Sequence, residues 1–169
     1  EERRQSGQGQ HIDISMLDCQ VALLENAFAR YFATGEVPRA TGSRLPLFTP
    51  FQAFETQDDY VVVALVGSQW PLFCTAIGRL DLIDDPRFQD GWARTQHYQE
   101  LAPLLTQAMK AKSTEQWLRE LTELDIPCGP LNRIDQVARD PQVAQRDMFV
   151  EVPHPGLGRV KVVNSPIKL

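Results

Sequence analysis

Cys128 is the residue whose type and setting first suggest covalent chemistry, since it stands in Pro127-Cys128-Gly129-Pro130, where two prolines stiffen the chain around a thiol. A cysteine attacks as the thiolate, and a neighbouring base or cation must lower its pKa to produce one. No such group stands close in sequence, so Cys128 reads as a small packed residue in a tight connection. Cys19, Cys74 and Cys128 are odd in number and lack a Cys-x-x-Cys pair, which argues for reduced thiols rather than a disulfide framework or a zinc knuckle. His11, His97 and His154 have no i, i+4 spacing to one another or to a cysteine, so no metal site is predicted and each reads as structural. Asp58-Asp59 falls in a predicted hairpin turn, and Asp84-Asp85 precedes Pro86, where aspartate commonly opens a helix. Gly7-Gln8-Gly9 resembles the start of a dinucleotide loop, but such a loop follows a strand and opens a helix, whereas here the order is reversed. A helix stop needs only the left-handed tolerance of glycine. No residue of the chain is assigned a catalytic role.

Binding is better served than catalysis. Arg39 and Ser43-Arg44 put positive charge on a loop, where a guanidinium can meet a phosphate or a carboxylate; a solvated loop charge is the alternative. Pro46-Leu47-Phe48-Thr49-Pro50-Phe51-Gln52 follows directly and is the best local candidate for substrate contact.

The elements that must hold this loop are legible from period and punctuation. His11 to Ser15 alternates apolar and polar residues as a short strand would. Leu17, Val21, Leu24, Phe28 and Tyr31 form one stripe of a long helix that ends near Gly35. Residues 35–50 hold Pro38, Gly42, Pro46 and Pro50 without a period, and so form a long irregular loop. Phe51 to Glu55 and Tyr60 to Val66 flank Gln57-Asp58-Asp59 as an antiparallel hairpin, and a helix from about Gln69 to Arg79 follows. The middle third is helical. Leu101, Leu104, Leu105, Ala108 and Met109 make one apolar face, and Trp117, Leu118, Leu121 and Leu124 make another behind Ser113-x-x-Gln116, which has capping-box spacing. Two antiparallel helices joined at Lys112-Ser113 would bury both stripes against the hairpin. Asp140-Pro141 caps a short helix ending near Met148, and Val150 to Val152 and Val160 to Val163 close the chain as a hairpin around His154-Pro155-Gly156-Leu157-Gly158.

Together these predict an α+β fold, a small antiparallel sheet packed with several helices. The chain holds 169 residues at 43% hydrophobic and 23% charged, enough for one real core without disulfides or metals. A net charge of −5 excludes a generally basic nucleic-acid surface. The apolar run Tyr60 to Val66 is far too short to cross a bilayer and no basic-then-apolar leader opens the chain, so a soluble, cytoplasmic protein without membrane or nucleic-acid partners is expected. Glu1 to Gly7 reads as the last turns of a charged helix with no initiator methionine and no cap ahead of it, and Ser165 to Leu169 stops just after a predicted strand. Both ends suggest a segment of a longer polypeptide.

Three motifs carry a family resemblance: Ile126-Pro-Cys-Gly-Pro-Leu-Asn-Arg-Ile134 with Asp140-Pro-Gln-Val143, the head Gly7-Gln-Gly-Gln-His-Ile-Asp-Ile-Ser-Met-Leu-Asp18, and the tail His154-Pro-Gly-Leu-Gly158. They resemble the family III CoA-transferases, the formyl-CoA and carnitine-CoA transferase group, nearly end to end. The resemblance implies a C-terminal portion whose catalytic aspartate belongs to a nucleotide-fold half ahead of Glu1. That aspartate would carry CoA between carboxylic acids as an aspartyl-CoA thioester, with CoA thioesters as substrates and no covalently bound cofactor. Residues 1–35 would be a linker helix and strand from the large domain, 36–140 the small α+β domain, and 141–169 a short helix and hairpin returning toward the large domain. The terminal segments would join the missing nucleotide-fold domain. Many family members carry His-Pro-x-x-x-Pro-Tyr-Gln where this chain has Leu45-Pro46 and Pro50-Phe51-Gln52. Pro50, Phe51 and Gln52 of this pattern, with Arg44 for its charge on the loop, are the expected substrate-binding residues. The change of His to Leu45 and the lack of a glycine run put oxalate and formyl specificity in doubt. The partners implied are an acyl-CoA, a carboxylic acid and a second subunit in an interlocked dimer. This chain alone would be inactive. An acyl-CoA racemase portion, or a stand-alone module that binds a partner or acyl-CoA without chemistry, remain the alternative readings.

Overall fold

Glycine and side-chain caps set the limits of most elements in the computed structural model, which describes residues 2–167; the outermost ends of the chain, Glu1 and Lys168-Leu169, lie outside the described residues. The chain divides into two compact units between Gly42 and Ser43.

In the first unit, α1 (Glu2–Ser6) stops at Gly7, whose φ of 72° lets its N–H reach the Arg3 carbonyl at 3.1 Å. The helix-stop reading of the Gly7 motif therefore holds. The strand expected at His11 to Ser15 does not form. Residues 11–14 are exposed coil, and alternation without a partner strand leaves the backbone nothing to pair with. Ser15 instead caps α2 (Met16–Leu23) by accepting from the Asp18 N–H. The single helix expected from Leu17 to Tyr31 is two, α2 and α3 (Glu25–Thr34), because Leu24 leaves helical geometry at φ −93°, ψ 15°. Gly35 at φ 73° ends α3, as its position predicts. None of these helices carries a buried residue.

The second unit confirms the α+β reading. Strands β1 (Phe51–Glu55) and β2 (Tyr60–Ala64) pair antiparallel with Phe54 opposite Val61 and Gln52 opposite Val63. A third strand, β3 (Cys128–Pro130), pairs antiparallel on the other side of β2, with Val63 opposite Cys128. The inward face of this sheet supplies Phe54, Val61 and Val63 to the core. Against it lie α4 (Trp70–Ala76), α6 (Tyr98–Met109) and α7 (Thr114–Glu123), contributing Phe73 and Cys74, then Leu101, Leu105 and Met109, then Trp117 and Leu121. Each large apolar side chain so buried stabilises the fold by about 1.5–3 kcal/mol. The two core indoles keep their N–H groups satisfied: Trp117 donates to the Met109 carbonyl at 2.7 Å and Trp70 to the Leu82 carbonyl at 3.1 Å.

The Ser113 capping box forms as its spacing predicts, with both reciprocal bonds present. Asp84-Asp85, expected to open a helix, does not. Residues 86–88 form a turn in which Asp85 holds the Arg87 backbone and guanidinium, and the next helix, α5 (Gly91–Gln96), is capped by Asp90. Beyond β3 come α8 (Ile134–Val137) and α9 (Pro141–Gln145), where Asp140 accepts from the Gln142 and Val143 N–H groups. The predicted closing hairpin is present as β4 (Phe149–His154) and β5 (Gly158–Val163).

Candidate functional site

The loop before β1 is held at several points along its length, and each tie follows from a residue type. Its first part runs beside the free edge of β1: the Leu45 N–H donates to the Phe51 carbonyl at 2.9 Å, and the Ala53 N–H donates to Ser43 Oγ at 3.2 Å. Those backbone groups would otherwise form an open sheet edge. Its last part is pinned to α5. Arg94 Nε donates to the Thr49 carbonyl at 2.7 Å and Nη1 to the Phe88 carbonyl at 2.9 Å, while its guanidinium lies 4.6 Å over the Trp70 ring. Burial pushes the Arg94 pKa down, and the Asp90 carboxylate opposes that shift. Thr95 Oγ1 lies 3.1 Å from the Pro46 carbonyl, 2.9 Å from that of Gly91 and 2.9 Å from Thr49 Oγ1. A hydroxyl has one proton, so Thr95 serves one carbonyl at a time while accepting from Thr49.

This frame presents the residues that the sequence singles out. The Arg44 guanidinium stacks 4.0 Å over the ring of Tyr98, the first residue of α6. The Tyr98 hydroxyl donates to Gln52 Oε1 at 2.8 Å. With its oxygen so engaged, the Gln52 amide has its nitrogen left as a donor. Arg44 and Gln52 are thus brought to one aromatic side chain. Pro50 is buried, and its carbonyl accepts from the Leu65 N–H. Phe51 is half-buried and lies on the sheet face opposite Gln52 by strand alternation, its carbonyl engaged by Leu45. The arrangement offers a cation and an amide donor in one place. Arg44 is half-buried and Gln52 is 8% exposed, so the guanidinium is the more accessible of the two; the arrangement holds no nucleophile and no general base.

Tyr98, Thr95 and Arg94 were not predicted as site residues. Their spacing carries no signal, because what gives them a role is a loop more than forty residues upstream in the chain. The other candidates stay apart. Cys128 is half-buried in β3, with its Sγ 3.7 Å from Thr122 Oγ1 and 3.9 Å from the Leu118 carbonyl, partners that do not activate a thiol. Cys74 is buried, and desolvation pushes its thiol up to about 12. Asp58 does not face a second acid; its carboxylate accepts from the Thr114 N–H and hydroxyl, which together hold its pKa below the usual range. A cleft of about 280 Å³ beside it, lined in part by Asp58, Asp59 and Glu115, has the wrong charge for an anion. Among the described residues no group of His, Cys, Asp or Glu could hold a metal ion, and no helix is long and apolar enough to cross a membrane.

Comparison with known proteins agrees with the three motifs. The family described as CoA-transferase family III matches residues 1–169. An acyl-CoA transferase of Fusarium pseudograminearum is 32% identical over 169 residues, covering 98% of this chain and 37% of that protein. The acetyl-CoA:oxalate CoA-transferase of Acetobacter aceti is 32% identical over 168 residues, covering 99% of this chain and 42% of that protein. The crystal structure of a CaiB/BaiF family protein from Brucella suis superposes with a TM-score of 0.76 at 30% identity, over 99% of this chain and 43% of that one. The chain therefore spans well under half the length of the proteins it matches.

Proposed function

This chain belongs to CoA-transferase family III, and from that premise we infer that it is the C-terminal portion of an enzyme that moves CoA between carboxylic acids, with the covalent chemistry carried by an aspartate outside these residues. In that cycle the aspartate carboxylate attacks the acyl-CoA carbonyl and displaces the CoA thiolate, leaving a mixed anhydride. The thiolate then attacks the aspartyl carbonyl, releasing the first acid and forming the aspartyl-CoA thioester. The acceptor carboxylate attacks that thioester, and the returning thiolate takes the acceptor's acyl group and frees the aspartate. A carboxylate suits the task because both of its adducts are acyl donors.

Every substrate and product of this cycle is anionic at its carboxylate or at the phosphates of CoA. The observation that carries the assignment is therefore the pairing of Arg44 and Gln52 on Tyr98, a charged donor on the clamped loop and an amide donor on β1. Residues 36–140 act as a small substrate-facing domain, with residues 1–35 and 141–169 belonging to the large one. The functional unit is a cytoplasmic dimer of interlocked subunits whose substrates are an acyl-CoA and a free carboxylic acid.

The test is CoA exchange between an acyl-CoA and a panel of carboxylic acids, assayed with this chain alone and with the polypeptide as its source cell makes it. We expect exchange only from the longer polypeptide, with Arg44→Ala raising the KM for acyl-CoA about tenfold. Turnover by residues 1–169 on their own would overturn the assignment.

A further inference from the structure

We propose that Tyr98 is a positioning residue for substrate binding, acting through Arg44 and Gln52 rather than by touching substrate itself; this rests on the substrate-facing reading of the loop given above. The geometry points to it from two sides of one ring. The face of Tyr98 lies 4.0 Å beneath the Arg44 guanidinium, and its hydroxyl donates to Gln52 Oε1 at 2.8 Å. A guanidinium on a loop has many rotamers, and holding it over an aromatic face restricts that freedom before a ligand arrives. An amide can present either its oxygen or its nitrogen, and the phenol settles which by occupying the oxygen. The group of Gln52 left to bond, on a residue only 8% exposed, is then a donor, matched in sign to the Arg44 cation. Tyr98 itself stands at the start of α6, whose Leu101 and Leu105 are wholly buried, so the platform is anchored in the core while the residues it orients come from the loop and from β1. The binding pair is thus set by a rigid element, although one of its members sits on an irregular one.

The two contacts separate experimentally. Tyr98→Phe keeps the ring under Arg44 and removes only the hydroxyl, and it preserves the packing volume of α6. Tyr98→Leu removes both. In the longer enzyme, steady-state kinetics are compared for these variants, for Arg44→Ala and Gln52→Ala, and for the doubles Tyr98→Leu/Arg44→Ala and Tyr98→Phe/Gln52→Ala. We expect Tyr98→Phe to raise KM about threefold to tenfold with kcat little changed, matching Gln52→Ala and adding nothing to it. Tyr98→Leu should raise KM about tenfold or more, and much of that effect should vanish once Arg44 is already alanine. A merely structural tyrosine would give additive effects, with the same KM penalty in the presence and absence of Arg44 and Gln52; that result overturns the proposal and leaves the loop assignment standing. Unchanged KM values in both Arg44→Ala and Gln52→Ala would instead overturn the loop assignment, and the role of Tyr98 with it. Tyr98→Phe decides the matter if Tyr98→Leu fails to fold.

Discussion

At the scale of single residues, the charges that matter here are sorted by what surrounds them. Arg94 is buried and bonded to two carbonyls, Arg44 lies on an aromatic face, and Arg87 is an exposed tie between Asp85 at 2.6 Å and Glu100 at 2.5 Å. The last of these has a consequence for pH. Hydrogen bonds from the Arg87 side chain, and then from its backbone N–H, hold the Asp85 carboxyl down at about 2, and His97 followed by Arg87 lowers Glu100. A carboxyl whose folded pKa is depressed binds fewer protons in the native than in the unfolded state across the interval between the two values. Stability therefore rises with pH there. The contribution is fully present above the unfolded carboxyl value of about 4 and is lost as pH falls toward 2. Urea midpoints at pH 7, 4 and 2.5 should show a loss concentrated between the last two. Asp85→Asn should lie lower at pH 7 and approach the parent as pH falls to 2.5; equal slopes in the two proteins would show that the Arg87 tie contributes nothing in solution, as many exposed pairs do not.

At the scale of elements, the loop of residues 43–50 is ordered by α5 more than by its own sequence. Replacing Arg94 with Met keeps an apolar stem against Trp70 and strips the Thr49 and Phe88 carbonyls of their charged donor. Thr49 is 2% exposed, so water cannot readily replace that bond. A loss of about 2–4 kcal/mol in urea unfolding is expected, together with faster proteolysis within residues 43–50. An unchanged cleavage pattern would show that the loop is held by its β1-edge bonds instead. The same contrast explains what could be read in advance. Ser113-x-x-Gln116, Asp140-Pro141 and Gly35 act within a few residues of themselves, so their caps and stops were legible, as were the β1–β2 and β4–β5 hairpins. Strand β3 was not, because three residues spanning Cys128 and Pro130 show no alternation and become a strand only by pairing with Val61 to Val63 far upstream. At Leu24 the apolar stripe runs straight through the break between α2 and α3, and neither glycine nor proline marks it. Of the candidate site, Arg44 and Gln52 were singled out through charge and motif, and the side chains that hold them were not, since Tyr98, Thr95 and Arg94 meet the loop and β1 only through tertiary structure.

At the scale of the whole chain, the first unit and the second differ in how they treat apolar residues. The second buries a contiguous core from Phe54 to Ile126, whereas Ile12, Ile14, Met16, Leu17, Leu23 and Phe32 of the first are each more than 70% exposed. The Leu17 stripe keeps helical spacing for a partner, yet no residue of α2 or α3 is buried. Exposed apolar side chains in such number, close together in sequence, exceed what a monomer ordinarily shows to water. On the proposed reading, the large domain of the same enzyme or a second subunit covers them. The chain of residues 1–169 in isolation should therefore self-associate, giving a light-scattering mass above 19.1 kDa that grows with concentration. Leu17→Asp combined with Phe32→Asp should reverse this without lowering the melting temperature, because neither side chain belongs to the core. A concentration-independent mass of a single chain would mean that the first unit needs no cover, and the interlocked arrangement would lose its physical motive. Association that persists in the double variant would place the sticky surface on the second unit, where Trp92 at 72% and Ile134 at 85% exposure are the next side chains to replace.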